Sequence, residues 1–237
     1  MLALCVTCLV DQVMPEIGVA AVRLLRRAGF EVAFPDGQTC CGQPLLQQRL
    51  PRRSPRTGQT HHPLFEPYQF VVLPSGSRAA MMRIEYPHLL ADDPQWHARA
   101  QILAKKVYEL SEFLAQFAPA WEPKEELSPL TYHDSCHMCR LLGVRDQPRQ
   151  QLQQAGYPIQ EMAEADRCCG FGGLFSARLP EVANAMSGEK LRQAQASGAA
   201  VLATADPGCL LQLRGLSASA GGMRLEHIAI LLEEATR

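Results

Sequence analysis

The sequence predicts an α/β fold made of two duplicated units, each a parallel sheet flanked by helices, with the two units related by a pseudo-twofold. Two observations carry this. Cys8 and Cys136, Cys40 and Cys168, and Cys41 and Cys169 are each 128 residues apart, and each vicinal pair runs into a glycine, Gly42 or Gly170. Short β-type runs also alternate with helical periodicity in both halves, the pattern of a parallel sheet covered on both faces.

In the first half, Leu2 to Val6 reads as a strand. Ile17, Ala20, Ala21, Leu24 and Leu25 then fall at helical spacing between Pro15 and Ala28, until Gly29 stops the run. Glu31 to Phe34 and Phe70 to Leu73 read as the next strands, followed by a turn at Ser75-Gly76-Ser77 and a helix from Arg78. The second half repeats the plan: a strand at Leu130 to His133, a helix near Pro148 to Ala155, and a strand at Pro158 to Met162. A helix from Pro180 to Ala196, a strand at Ala200 to Ala203 and a turn into a helix at Asp206-Pro207-Gly208 complete it. Each half closes on a similar segment, Val107 to Leu114 and Leu225 to Leu232, read as an amphipathic helix. The Pro- and Glu-rich stretch Trp121 to Ser128 is the natural linker, giving units 1–122 and 123–237.

Composition narrows the function. Twenty-three Lys and Arg against 24 Asp and Glu leave a formal charge of −1, so no overall field attracts nucleic acid or anionic membrane. No apolar run approaches the roughly 20 residues needed to span a bilayer, and a cytoplasmic location is expected. Nine cysteines form an odd set, which argues against a complete disulfide framework and for metal or redox chemistry in a reducing compartment.

The strand order places Cys136 just past the first strand of its half, Cys168 and Cys169 past the second and Cys209 past the third. All four then meet at the carboxyl edge, where open α/β sheets bind ligands. A vicinal pair reaches one site only where the backbone turns, which Gly42 and Gly170 permit. Thiolates gathered this closely need positive charge between them, supplied by an iron-sulfur cluster or by zinc, and spacing alone does not choose between the two. His133, His137, Arg140 and Arg167 lie beside these cysteines in sequence and are candidates to tune the centre. Gly170-Phe171-Gly172-Gly173 fails the dinucleotide fingerprint, because Phe175 stands where the last glycine belongs.

Four segments carry a family resemblance: Val6 to Asp11, Thr39 to Pro44, His133 to His137 and Arg167 to Gly173. Through them the chain resembles the cysteine-rich, or CCG, domain proteins, which include the cysteine-rich component of heterodisulfide reductase and the glycolate oxidase iron-sulfur subunit. The likeness is nearest to the two-repeat lactate utilization protein A type. It implies an iron-sulfur oxidoreductase subunit of a complex that oxidises L-lactate to pyruvate, with an iron-sulfur partner subunit and a third subunit. It also implies iron-sulfur ligation by the cysteine motifs, in some relatives through a non-cubane four-iron cluster. The alternative, from another class, is a zinc-stabilised assembly subunit without redox activity.

Two departures from the family pattern matter. Arg78 stands where a cysteine is expected after the third strand, which leaves Cys8, Cys40 and Cys41 as an incomplete first site. Cys5 is expected to lie too far back, on the opposite face of its strand, to replace it. Between Gln47 and Pro63 the chain is basic, proline-rich and free of acids where the family has an amphipathic helix, so a flexible basic loop is expected. The clean resumption at Phe65-Glu66 points to a local reading-frame shift and its restoration.

Overall fold

The computed structural model describes residues 1–47, 54–122, 127–216, 218 and 221–237. The first half runs β1 (Leu2–Leu4), α1 (Cys8–Gln12), α2 (Pro15–Arg27), β2 (Val32–Ala33), α3 (Gln43–Gln47), α4 (Ser54–Phe65), β3 (Phe70–Leu73) and α5 (Gly76–Ala80). A π-turn at Met81–Glu85 leads into α6 (Tyr86–Leu89), α7 (Pro94–Ala104), β4 (Val107–Glu109) and α8 (Leu110–Phe117). The second half runs β5 (Leu130–His133), a π-helix at His137–Leu142, α9 (Asp146–Gln154), α10 (Leu174–Arg178) and α11 (Pro180–Ala196). It ends with β6 (Val201–Thr204), α12 (Pro207–Arg214), β7 (Arg224–His227) and α13 (Ile228–Ala235).

Local chemistry sets these bounds. In α2 the first-turn proline, the buried stripe Ile17, Ala20, Ala21, Leu24 and Leu25, and Arg26 and Arg27 in the last turn each favour the helix, and Gly29 at φ +90° ends it. All strand pairs are parallel. One sheet has the order β2-β1-β3-β4 and the other β5-β6-β7, with Ile159 bridging to the free side of β5 in the place β2 takes beside β1. Successive strands are therefore added on opposite sides of β1 and of β5, which opens a crevice at the carboxyl edge between β1 and β3 and between β5 and β6.

Packing between the halves is reciprocal. α2 lies against α13 and α8 against α9, so the early helix of each half meets the closing helix of the other. One hydrophobic core runs through both, taking Leu24 and Leu25 from one side and Leu231 and Leu232 from the other. These equivalences are compatible with a duplicated unit. Of the expected linker, Trp121 to Ser128, residues 123–126 lie outside the described residues.

Three expectations need correction. The closing segments are not wholly helical: Val107–Glu109 and Arg224–His227 are the outer strands, and each passes directly into a helix capped by its last residue, Glu109 or His227. Pro158 to Met162 contributes only the Ile159 bridge to Leu130. The basic stretch is not a loop throughout, since Ser54–Phe65 is a helix with His61 and His62 fully buried, while 48–53 lie outside the described residues.

Candidate metal centre

Each sheet edge gathers thiols from successive loops. Thr7 caps α1 by accepting from the Val10 N–H at 3.0 Å, which fixes Cys8 as the first residue of that helix. Cys40-Cys41 and Cys168-Cys169 follow the first crossover of their halves, and Gly42 and Gly170 turn there at φ +83° and +92°. Only glycine fits at 170, because a Cβ would stand 2.4 Å from the Ala183 carbonyl oxygen. Asp206 caps α12 through the Gly208 N–H and sets Cys209 three residues into the helix.

In the second half the four thiols form a contiguous run. Cys136 and Cys169 both hydrogen-bond to Cys168, and Cys169 also contacts Cys209. Hydrogen bonds from Cys136 and then Cys169 pull the Cys168 thiol down to about 2, making it the thiolate of the group. The same contact with Cys168 pushes Cys136 up. The backbone N–H groups of Gly170 and Phe171 donate to the sulfurs of Cys168 and Cys169 at 3.4 and 3.5 Å.

His133 belongs to this centre. It is fully buried, its Nδ1 contacts the Ala165 carbonyl at 3.3 Å and its Nε2 has no partner, so the lone pair sits on Nε2. One ring nitrogen of His133 and the sulfurs of Cys169 and Cys209 all lie within 4.8 Å of one another. Burial lowers the imidazole to about 3, which keeps it neutral.

The other neighbours read from sequence are placed differently. His137 Nδ1 is 3.6 Å from Cys136 Sγ, and its Nε2 is 3.3 Å from Gln43 of the first half. Arg140 donates to the Asp166 carbonyl at 3.0 Å and Arg167 pairs with Glu164 at 2.9 Å. Three participants were not read from sequence. Ser135 hydrogen-bonds to Cys209, Asp206 brings negative charge near Cys136 and Cys209, and buried Lys190 brings positive charge near Cys169. Lys190 carried a legible signal, a lysine on the buried stripe that Ala183, Ser187, Leu191 and Ala194 define on α11.

The first half repeats the arrangement up to its fourth position. Cys40 accepts from Cys41 and Cys8 and is the low-pKa thiol of the set, at about 2. Ser75 caps α5 as Asp206 caps α12, and three residues on, where the second half has Cys209, stands Arg78. Its guanidinium is buried. Nε donates to Cys5 Sγ at 3.2 Å and Nη2 to the Thr39 carbonyl at 3.0 Å. Cys5 therefore serves as a partner of Arg78 within this site.

The family described as CCG: Cysteine-rich domain matches residues 2–77 and 130–214. The chain belongs to this CCG family. A relative from Geobacillus kaustophilus (strain HTA426), named Lactate utilization protein A, is 41% identical over 233 residues, 97% of each chain. Another of that name from Bacillus subtilis (strain 168) is 40% identical over 233 residues, 97% of this chain and 98% of its own. A hypothetical protein from Helicobacter pylori, known from a crystal structure, shares the fold with a TM-score of 0.65 over 99% of this chain at 13% identity. This chain spans 48% of that neighbour's length.

In this CCG protein the second-half donors fit a thiophilic metal: four adjoining sulfurs, a neutral imidazole with a free nitrogen, and backbone N–H groups turned to sulfur. The first half does not fit the same group. Its fourth position holds Arg78, a permanent cation that donates hydrogen bonds and cannot ligate a metal, so only three adjoining thiols remain. No helix among the described residues is long and apolar enough to cross a membrane.

Proposed function

We propose that the protein serves lactate utilization as an iron-sulfur subunit in the cytoplasm. In this reading it carries electrons from the oxidation of L-lactate to pyruvate, alongside an iron-sulfur partner subunit and a third subunit. The pathway rests on the relatives named Lactate utilization protein A, at 40 to 41% identity along nearly the whole chain. The redox part rests on one observation, the unbroken run of thiols Cys136, Cys168, Cys169 and Cys209 at the sheet edge.

A cluster bound there supplies one-electron transfer. The chain supplies its setting. The four cysteines are the ligands, and the Gly170 and Phe171 N–H groups stabilise added negative charge on sulfur. Burial of Cys169, Cys209 and His133 excludes water, and Lys190 balances charge from behind.

A closed zinc site that only fixes the fold is the second reading. It is favoured by His133, Cys169 and Cys209, whose buried donor atoms all lie within 4.8 Å of one another, as ligands of a single ion must. Anaerobic purification with metal and sulfide analysis separates the two. Iron with acid-labile sulfide, and an electron paramagnetic resonance signal that changes when L-lactate is added with the partner subunits, supports the redox role. Stoichiometric zinc without sulfide refutes it.

A further inference from the structure

Arg78 is a buried cation with no carboxylate beside it among the described residues. Its Nη1 has no hydrogen-bond partner although the atom is shielded from solvent. Its contacts are the Cys5 thiol, the Thr39 carbonyl and, at 3.5 Å from Nη2, the His61 ring, none of them a carboxylate. A buried guanidinium with one nitrogen unpaired is costly, and its planar fork matches a carboxylate.

A cavity of about 210 Å³ lies against this residue, bounded by Cys8, Cys40, Ser75, Ser77 and, from the second half, Phe171. That is below the roughly 300–1,000 Å³ of pockets that enclose drug-sized ligands, and it suits an acid of a few heavy atoms. The serine hydroxyls offer partners to an oxygen on the carbon next to the carboxylate, and Phe171 offers an apolar wall. Ser77, Phe171, Gln43 and Gly173 also line the void at the second-half thiols, so a molecule in this cavity sits next to that centre.

We propose that the first-half site is a pocket for a small 2-hydroxy or 2-oxo monocarboxylate, with Arg78 as the residue that binds its carboxylate. The anion site rests on Arg78 and its cavity. The ligand class rests also on the lactate reading above.

The test is calorimetric titration of the anaerobically purified full chain with L-lactate and with pyruvate, using acetate and inorganic phosphate as comparators. Saturable binding of either acid is expected. Arg78→Gln should weaken it by about tenfold or more, and Arg78→Lys less, with the metal content unchanged in both. A measurement on the unaltered protein guards against misfolded variants: saturating pyruvate should slow alkylation of the exposed Cys8 and Cys40 by iodoacetamide. Absence of both saturation and protection overturns the pocket, as does undiminished binding by Arg78→Gln. Acetate or phosphate binding as tightly as pyruvate overturns the ligand class. Zinc in place of iron and sulfide, with pyruvate binding intact, refutes the electron-transfer role and supports the pocket on its own footing.

Discussion

The backbone N–H of Ser77 donates to Asp206 Oδ2 at 2.7 Å, which ties the first turn of α5 to the carboxylate that caps α12. The other oxygen of that carboxylate accepts from the Gly208 N–H at 3.0 Å. One buried side chain thus satisfies helix-start donors in both halves and holds the two sheet edges together. Asp206→Ala should cost about 2–3 kcal/mol, a cap plus a second charge-assisted bond, read as a lower urea midpoint. Asp206→Asn keeps one acceptor and should fall between the two proteins. An unchanged midpoint in the alanine variant would show that the shared carboxylate does not stabilise the fold.

The ligand assignment makes a paired prediction. Cys169 touches both Cys168 and Cys209, whereas Cys139 Sγ lies 3.9 Å from the Cys136 carbonyl oxygen and outside the run of thiols. Loss of an outer partner of a metal ligand typically costs 10- to 100-fold in affinity, so Cys169→Ser should lose more than about 100-fold while Cys139→Ser stays near the parent. Metal content after dialysis against a chelator checks both. A fully loaded Cys169→Ser protein defeats the assignment.

What was legible follows from how local each signal is. Pro180–Ala196 and Leu130–His133 were read to the residue, because a proline start and adjacent strand-favouring residues, Thr131 and Tyr132, act within a few positions. The outer strands β4 and β7 were hidden because three or four residues of strand merge into an amphipathic helix whose period dominates the window. Helix α4 was hidden for a different reason. Part of its inward face is histidine, which composition scores as polar, yet His62 packs against Tyr86 and Trp96 with ring centroids 6.3 and 6.0 Å away. The cysteine loops could be placed from strand order alone. The guanidinium of Arg78 among them, and the reach of Asp206 to Ser77 across 129 residues, are tertiary facts with no local trace.

His62 makes the fold sensitive to acid. Both ring nitrogens are buried without partners, and burial, helped by the positive charge of Arg99, lowers the imidazole from 6.5 to about 4, with Glu66 opposing and Lys106 adding to the shift. The unfolded chain takes up a proton near 6.5 while the folded chain waits until about 4. This contribution is therefore complete above 6.5 and is lost as pH falls through that interval, at up to about 1.4 kcal/mol per pH unit. His227, lowered to about 3 by burial, acts in the same direction. His62→Phe keeps a ring in the Tyr86 and Trp96 contact and removes the proton site. Its urea midpoint should fall less than that of the parent between about pH 7 and about pH 5. Equal falls would show that His62 does not drive the acid loss.

Glu109 imposes the opposite dependence. Its Oε2 caps α8, accepting from the N–H groups of Ser111 at 2.7 Å and Glu112 at 3.3 Å, and Oε1 is buried without a partner. Burial raises the carboxyl from 4.5 to about 8, against the lowering pull of the Ser111 hydrogen bonds. Between those values the folded chain holds a proton that the unfolded chain has released. The contribution is therefore present below 4.5 and lost as pH rises through 8. Glu109→Gln retains an amide oxygen to accept from the same N–H groups and cannot ionise. The variant should match the parent near pH 4.5 and exceed it in stability above pH 8, with the difference growing by up to about 1.4 kcal/mol per pH unit across the interval. Urea denaturation at the two ends of that range decides it. Parallel stability curves would mean that Glu109 is ionised in the folded protein, and that the α8 cap carries a full negative charge within the core.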